Sequence, residues 1–269
     1  MKFDYKLLEA LNAVIEEQGF DNAAQKLFIT QSAVSQRIKS LEENIGQPVI
    51  VRGQPIKKTM AGEKLLSHFK MVEQLENELL PELLPDIPKQ PVRITLAINA
   101  DSIATWFFDA MAPLLKNYLI ELNILIENEQ DTINKLRSGE AIGAVSKHST
   151  PLPGYQSSKL GQLKYVLVAS KEFRHRYFSN GVTTQSLKMA PGISYDSKDD
   201  MHEHFITKHF ELAASEYYCH NVRSSEAFVN LTKRGLAYSL ISELQIKDEL
   251  ESGQLINLCP DKVLIETLY

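Results

Sequence analysis

The first sixty residues contain three stretches in which apolar side chains recur every three or four positions. This spacing places the apolar side chains on one face of a helix, so each stretch predicts an amphipathic helix. We expect Gly19 to end the first helix, Asp21 to cap the second and Thr30 to cap the third, because glycine favours helix C-termini and short polar side chains favour N-termini. The three helices are predicted at residues 4–18, 21–27 and 32–45.

After Gly46 the pattern changes to two short segments that flank a turn. Residues 48–52 and 56–58 are predicted strands, and two such strands after a helix form a β-wing. A helix over residues 61–80 follows, and its narrow apolar seam predicts a partner helix. The members of the seam are Leu65, Phe69, Val72, Leu75 or Glu76, and Leu79.

Four prolines predict a hinge at residues 81–91, because proline interrupts a helix and removes a backbone donor. They are Pro81, Pro85, Pro88 and Pro91. Beyond the hinge, strands alternate with helices, which predicts mostly parallel α/β sheets in two successive units. Strands are expected at residues 92–98, 120–127, 141–146, 165–169 and 237–241, and helices at 102–116, 132–138, 200–209 and 225–234.

Length, composition and charge narrow the class of protein. A chain of 269 residues with 43% hydrophobic content can form two or three compact units. We expect a cytoplasmic protein, because there is no signal-peptide core and no run of 18 apolar residues. The net charge of −5 argues against a nucleic-acid partner, but residues 26–58 carry six basic and only two acidic side chains. The acidic excess therefore lies elsewhere in the chain.

The third predicted helix has a polar face suited to the major groove of duplex DNA. If Val34, Ile38 and Leu41 pack inward, amides and hydroxyls face outward, where they can reach base edges, and basic side chains can neutralise phosphates. The alternative is a small helical bundle with a solvated polar face. The predicted DNA-binding residues are Thr30, Gln31, Ser32, Ser35, Gln36, Arg37, Lys39 and Arg52.

A ligand cleft is expected where strands end and helices begin, at residues 99–105, 146–148 and 224–226. A helix starting at Ser102 would offer free amides to a carboxylate, and acidic side chains would pair with a cation. Each acid is alternatively a solvated charge or a helix cap. The candidate ligand-binding residues are Asn99, Ala100, Asp101, Ser102, Glu127, Glu129, Ser146, Asp196, Asp199, Asp200, Ser224 and Glu226.

Other chemistries lack their usual motifs. His202, His204 and His209 are expected at the surface rather than around a metal, and Cys219 and Cys259 are expected to be reduced, packed thiols. No GxGxxG, GxxxxGK[ST] or GxSxG motif occurs. We therefore expect no cofactor, no metal and no enzymatic activity. The rival hypothesis is a solute-binding or enzymatic α/β domain fused to an interaction module.

Specific motifs resemble those of LysR-type transcriptional regulators. The N-terminal ones are AAQKL at residues 23–27, TQSAVSQRI at 30–38, LE at 41–42 and TMAG at 59–62, together with Arg52 in the wing. Later motifs resemble one subgroup of this family, which responds to lysine and arginine. They are NADS at 99–102, ATW at 104–106, GAVS at 143–146, DDMH at 199–202 and SSEAFV at 224–229.

This resemblance implies an α+β multidomain architecture. A winged helix-turn-helix would occupy residues 1–59, a linker (dimerisation) helix and hinge 60–90, and an effector-binding regulatory domain 91–269. The regulatory domain would have two subdomains like those of periplasmic binding proteins, one of residues 91–162 plus the C-terminal end and one of residues 163–265. Family members normally end in a helix packed on the first subdomain, and we expect this chain to lack it, which would leave an apolar face uncovered.

The resemblance also implies partners. It predicts a homodimer or a dimer of dimers (a homotetramer) that binds double-stranded operator DNA and acts with RNA polymerase. Lysine or arginine would be the effector, and genes of arginine export and lysine metabolism would be the targets. A LysR-type regulator that responds to a different small effector is the alternative.

Overall fold

The computed structural model describes residues 3–83, 91–128, 131–196 and 200–269. The chain forms two compact units. One contains residues 1–96, 117–124 and 134–144, and the other contains residues 97–116, 125–133 and 145–269. Four residues singled out by the sequence lie outside the described residues, namely Pro85 and Pro88 of the predicted hinge and Glu129 and Asp199 of the candidate ligand site.

Three helices at the N-terminus share one apolar core, as predicted. They are α1 (Tyr5–Glu16), α2 (Phe20–Lys26) and α3 (Gln31–Ile45). Leu8, Leu11 and Val14 of α1 are buried in a common cluster with Val34 and Ile38 of α3. Thr30 caps α3, because its hydroxyl accepts the amide hydrogen of Ala33 at 3.2 Å.

The connection between α1 and α2 differs from the prediction. Gln18, not Gly19, takes the left-handed conformation after α1, with φ at 52°, and its side-chain amide donates to the carbonyl of Ile15 at 2.8 Å. Gly19 is instead the extended N-cap of α2, so Asp21 lies in the first turn and not at the cap. Its carboxylate still favours the positive end of the helix dipole, which is why its position resembled a cap in the sequence.

The predicted β-wing is present but short. Strands β1 (Ile50–Val51) and β2 (Lys57–Lys58) pair in antiparallel fashion, with Ile50 opposite Lys58. Val49, just before β1, is buried in the core of the three helices. The wing is therefore anchored to the helices at its base.

The long helix α4 (Met60–Leu83) begins against the wing. The hydroxyl of Thr59 donates to the carbonyl of Pro48 at 2.8 Å and accepts the amide hydrogen of Gly62 at 3.1 Å. A Cβ at Gly62 would lie 2.0 Å from the carbonyl oxygen of Val49. Glycine thus permits the close approach of helix and wing.

The helix α4 also continues past Pro81, where the sequence predicts an interruption. It reaches Leu83. The helix tolerates Pro81 because a proline so near its C-terminal end removes only one of the last hydrogen bonds. Leu65 and Leu66 near its start are buried against the three-helix core. Further along the helix, Met71, Leu75, Leu79 and Leu83 are 48–64% exposed.

Residues beyond the hinge form α/β structure, but the first helix is broken. The single helix expected over residues 102–116 is two helices, α5 (Ala100–Thr105) and α6 (Phe107–Asn117). Asn99 caps α5 by accepting the amide hydrogen of Ser102 at 3.2 Å, so the helix starts two residues earlier than predicted. Strands β4 (Ile120–Ile126), β3 (Val92–Ile98) and β5 (Gly143–Ala144) form a sheet in that order, and helix α7 (Thr132–Arg137) precedes β5, which is shorter than expected.

A second sheet is built around the ten-residue strand β6 (Gly161–Ser170). It pairs with β9 (Ser239–Ser242), β10 (Leu255–Asn257) and β11 (Leu264–Leu268), and all three pairings are antiparallel. The prediction of a mostly parallel sheet is wrong here, because a hydrophobic pattern shows which residues are extended but not the direction in which a strand runs. Strands β7 (Gly192–Ser194) and β8 (Cys219–Asn221) do pair in parallel.

Helices complete the architecture. They are α8 (Lys171–Tyr177), α9 (Thr184–Met189), α10 (Asp200–Phe210), α11 (Ser225–Lys233) and α12 (Lys247–Glu251), with a short 3-10 turn at Ala214–Glu216. Within the described ranges, none of the helices combines the length and apolar character needed to cross a membrane.

Candidate functional site

Helix α3 presents a polar face to solvent, which we call the recognition face. Its inward side is closed by Val34, Ile38 and Leu41, which are all buried as predicted. Gln31, Ser32, Gln36 and Lys39 are exposed on the other side, with Ser35 and Arg37 half-buried between them. The face therefore offers amides and hydroxyls on a rigid helix.

The basic side chains on and near the recognition face form only weak ion pairs within the protein. The guanidinium of Arg37 lies 3.8 Å from the carboxylate of Glu9, and the ammonium of Lys39 lies 3.8 Å from that of Glu43. Such exposed pairs contribute little, so both cations can exchange their partner for a phosphate. The wing side chain of Arg52 is exposed and lies 5.8 Å above the ring of Phe20. This arrangement suits the backbone of a nucleic acid.

Thr30 is placed differently from the other residues of this set. Its hydroxyl caps the helix through Ala33 and lies 3.0 Å from the hydroxyl of Ser32. It therefore orients the start of α3 while remaining exposed. Phe28 was not among the predicted DNA-binding residues, but it precedes α3 with a φ of 54° and a side chain that is 95% exposed.

The second compact unit contains a cleft of about 790 Å³, including space open to solvent. Its lining combines apolar side chains with a few polar and charged ones, as small-ligand sites do. The cleft lies where β3, β4 and β7 end and where α5, α10 and α11 begin. Its lining comprises Asn99, Ala100, Asp101, Glu127, Asn128, Lys147, Ile193, Tyr195, Asp200, Met201, His202, Ser225, Phe228, Leu240 and Ile241.

The structure brings together five of the candidate ligand-binding residues and separates five others from the cleft. Those in the lining are Asn99, Ala100, Asp101, Glu127 and Asp200. Those outside the lining are Ser102, Ser146, Asp196, Ser224 and Glu226. The predicted edge of the sheet therefore located the cleft, but residues that are neighbours in sequence do not all line it.

Three of the separated residues, Ser224, Glu226 and Asp196, have partners outside the cleft, and Ser224 alone of them is a helix cap. Ser224 caps α11 by accepting the amide hydrogen of Ala227, and its hydroxyl donates to the carboxylate of Glu226 at 2.9 Å. Asp196 pairs with Arg223 at 2.9 Å. The alternative stated from the sequence, in which a candidate residue is a helix cap or a surface charge and does not bind the ligand, describes these side chains.

Ser102 and Ser146 are buried rather than presented to a ligand. The amide of Ser102 is occupied by Asn99 because α5 starts at Ala100, so this amide is not free to hold a carboxylate, contrary to expectation. The hydroxyl of Ser146 accepts the amide hydrogen of His148 at 3.1 Å. Ser146 thus orders the segment that follows it, whereas the hydroxyl of Ser102 is buried in α5 without a hydrogen-bond partner among the described residues.

Asp101 is fixed in position by two hydroxyls. Tyr165 donates to its Oδ2 at 2.8 Å, and Ser225 donates to its Oδ1 at 2.6 Å. The two donors come from β6 and α11, which are remote from Asp101 in sequence. The carboxylate therefore stands at the cleft in a defined orientation.

The cleft is acidic. Asp101, Glu127 and Asp200 contribute carboxylates, and Lys147 contributes a cation that lies 3.1 Å from Glu266. Three carboxylates around one cleft give it a negative potential, which favours a cationic ligand over an anionic one. Among the residues that the structure describes, no three His, Cys, Asp or Glu side chains are grouped as a metal site would require.

His202 corrects another expectation. It was predicted at the surface, but its side chain is 3% exposed and lines the cleft. Burial lowers its pKa to about 4, so the ring is neutral at physiological pH. The sequence contained a signal for this position, since His202 lies one helical turn before the buried Phe205 and Ile206. Lys147, Tyr195, Asn128 and Phe228 were also missed.

Comparison with known proteins gives concordant results. Residues 5–63 match the family described as bacterial regulatory helix-turn-helix protein, lysR family, and residues 89–269 match the LysR substrate binding domain. The HTH-type transcriptional regulator ArgP of Aeromonas salmonicida is 51% identical over 266 residues, which cover 99% of this chain and 89% of that protein. These matches confirm the family and subgroup resemblance drawn from the motifs.

Two solved structures extend the similarity to the whole fold. ArgP from Mycobacterium tuberculosis has a TM-score of 0.88 at 36% identity, and the match covers 99% of this chain and 90% of that one. Full-length LTTR LysG from Corynebacterium glutamicum with bound effector Arg has a TM-score of 0.81 at 28% identity, with the same coverage. The predicted fold class is confirmed.

Proposed function

The chain belongs to the LysR family of bacterial regulatory helix-turn-helix proteins, and we propose that it is a transcriptional regulator controlled by lysine or arginine. Operator DNA would bind the recognition face of α3 and the wing, and the amino acid would bind the acidic cleft. The observation that carries the effector assignment is the set of carboxylates at Asp101, Glu127 and Asp200 around one cleft. A similar structure, LysG, holds arginine as its effector.

The proposed division of labour follows from the side chains. Gln31, Ser32, Ser35 and Gln36 would contact base edges, whereas Arg37, Lys39 and Arg52 would contact phosphates. Thr30 would hold the start of α3 in place through its cap. In the cleft, Asp101, Glu127 and Asp200 would face the cationic groups of the effector, with Asn99 and Ala100 beside them.

DNA binding is tested with Gln36→Ala and Arg52→Ala, measured by fluorescence anisotropy on a cognate promoter fragment. Losing a base contact at Gln36 should weaken binding by roughly 1–3 kcal/mol. Losing a phosphate contact at Arg52 should weaken binding to all sequences and reduce the salt dependence by about one ion. Lys247→Ala serves as control, because Lys247 is an exposed cation of α12. Unchanged affinity in both test variants would refute the assignment of α3.

Effector binding is tested by calorimetry with lysine and with arginine. Asp101→Asn should abolish most of the affinity, because the neutral amide no longer attracts a cation. Glu226→Gln removes an exposed carboxylate outside the lining and should bind like the wild type. If the wild-type protein binds neither amino acid, a different small effector becomes the better hypothesis.

We further infer that the regulator acts in the cytoplasm, together with RNA polymerase and without enzymatic activity. The apolar side chains exposed along α4 support a homodimer or a dimer of dimers. The subgroup resemblance supports genes of arginine export and lysine metabolism as targets. The boundaries proposed at residues 1–59, 60–90 and 91–269 separate the DNA-binding, linker and regulatory parts.

A further inference from the structure

His202 is a buried polar side chain whose hydrogen-bonding capacity is unused. Neither Nδ1 nor Nε2 has a hydrogen-bond partner within the described part of the chain. Leaving a buried polar group unpaired costs free energy, so a native protein usually supplies a partner. Because His202 lines the cleft, that partner can come from a bound molecule.

The ring of His202 packs against the rings of two tyrosines. Its centroid lies 5.7 Å from the ring of Tyr217 and 5.6 Å from the ring of Tyr238. Tyr238 itself fits because residue 192 is glycine, where a Cβ would stand 3.0 Å from Cζ of the phenol ring. The tyrosines contact the ring of His202 but leave its two nitrogens without partners. Packing against the two rings therefore limits the orientations of the imidazole, and binding residues are commonly oriented in this way.

The chemical state of the ring limits what it can recognise. A neutral imidazole has one N–H donor and one nitrogen lone pair. An anion next to the ring would also face the carboxylates of Asp101, Glu127 and Asp200, whereas a cationic donor would be attracted by them. The lone pair of the imidazole and the carboxylates of the cleft thus both favour a cationic hydrogen-bond donor.

We propose that His202 is a specificity-determining residue of the cleft, which accepts a hydrogen bond from an ammonium or guanidinium group of the effector. This inference rests on the proposed function and adds to it. The carboxylates supply attraction over distance, and the imidazole supplies a directional contact that a non-donating ligand cannot make. A ligand without such a donor leaves the nitrogen unpaired and binds more weakly.

The test compares two substitutions at one site with a control on the same helix. His202→Leu removes the acceptor, and His202→Gln replaces it with an uncharged side chain whose oxygen can accept. His204→Leu is the control, because His204 is exposed on α10. Calorimetry at neutral pH uses lysine, arginine and norleucine, which has the α-ammonium group of lysine but no side-chain ammonium group. Circular dichroism verifies that each variant is folded.

We expect His202→Leu to bind lysine and arginine roughly ten- to a hundredfold more weakly than the wild type. His202→Gln should recover part of this loss, and His204→Leu should bind normally. A loss shared by lysine and norleucine assigns the contact to the α-ammonium group, and a loss confined to lysine and arginine assigns it to the side chain. Equal binding by His202→Leu and wild type would overturn the inference while leaving the effector assignment intact.

A spectroscopic measurement on the wild-type protein does not depend on whether the variants fold. Nitrogen-15 NMR of the histidine rings should show the non-protonated nitrogen of His202 shifting when lysine is added, while the ring stays neutral. A ring that becomes doubly protonated would indicate recognition of an anion and overturn the inference, as would a signal that lysine does not move. If neither amino acid binds the wild-type protein, the proposed effector fails together with this contact.

Discussion

The carboxylate of Asp101 depends on single hydroxyl groups for its orientation. Replacing Tyr165 by phenylalanine removes the donor that lies 2.8 Å from Oδ2. Because hydrogen bonds to charged groups contribute roughly 1.5–3 kcal/mol, Tyr165→Phe should lower the free energy of unfolding by about that amount. Urea unfolding followed by the fluorescence of Trp106 measures the change, since Trp106 lies in the same compact unit. Tyr118→Phe, at an exposed tyrosine, should have almost no effect.

His202 also gives a pH dependence with a definite sign. Its pKa falls from 6.5 to about 4 on burial. Between these values the unfolded chain takes up a proton and the folded chain does not, so the free energy of unfolding decreases as pH falls through this window. The total contribution is about 3 kcal/mol. Urea unfolding of the wild type and of His202→Gln across this window should show that the substitution flattens the profile, and parallel profiles would contradict the assignment.

Phe28 combines an exposed ring with an unfavourable backbone conformation. Its φ of 54° is left-handed, which costs a residue with a Cβ roughly 1–2 kcal/mol, less for asparagine. Phe28→Asn should therefore raise the free energy of unfolding by roughly 0.5–1 kcal/mol. Thermal unfolding tests this expectation. Phe28→Ala lacks the short polar side chain by which asparagine tolerates this conformation and should gain little, so an equal gain in both variants would point to a cause other than the backbone.

At the scale of elements, the wing and α4 depend on one glycine. A Cβ at Gly62 would stand 2.0 Å from the backbone oxygen of Val49, which cannot move without displacing the wing. Gly62→Ala should cost about 3 kcal/mol or more, because overpacking forces the backbone apart. Gly53→Ala is the matched control in the same wing, where the nearest atom would be 3.8 Å away. Thermal unfolding should separate the two variants clearly, and equal melting temperatures would contradict this account.

Elements also explain which secondary structure was predictable. Helix α3 was located almost to the residue, because periodic apolar positions and the cap at Thr30 are local properties. The break at Trp106 and the start of α5 at Ala100 were missed, because apolar positions continue at helical spacing across the break. The antiparallel partners of β6 were also missed, because they lie up to about a hundred residues away along the chain.

At the scale of the whole molecule, the exposed side of α4 should govern association. Met71, Leu75, Leu79 and Leu83 follow one another every four residues and are 48–64% exposed. Leu75→Lys combined with Leu79→Lys should shift the protein to a smaller species, because buried cations oppose an apolar interface. Light scattering coupled to size-exclusion chromatography measures the mass. Glu73→Lys, at another exposed position of α4, should leave the mass unchanged, and an unaltered mass in the double variant would exclude this surface as the interface.

The amino-acid sequence by itself determined the recognition face, the wing, the family and the acidic character expected of the ligand site. These features depend on residues close together in the chain, where helical period, capping and motif spacing act directly. Only the tertiary structure decided which acids share a cleft and what fixes them. Asp101 is held by Tyr165 and Ser225, which lie 64 and 124 positions away, and His202 packs against the tilted rings of two tyrosines from other segments. Such contacts arise because packing joins residues that are distant in sequence, and no local pattern encodes that distance.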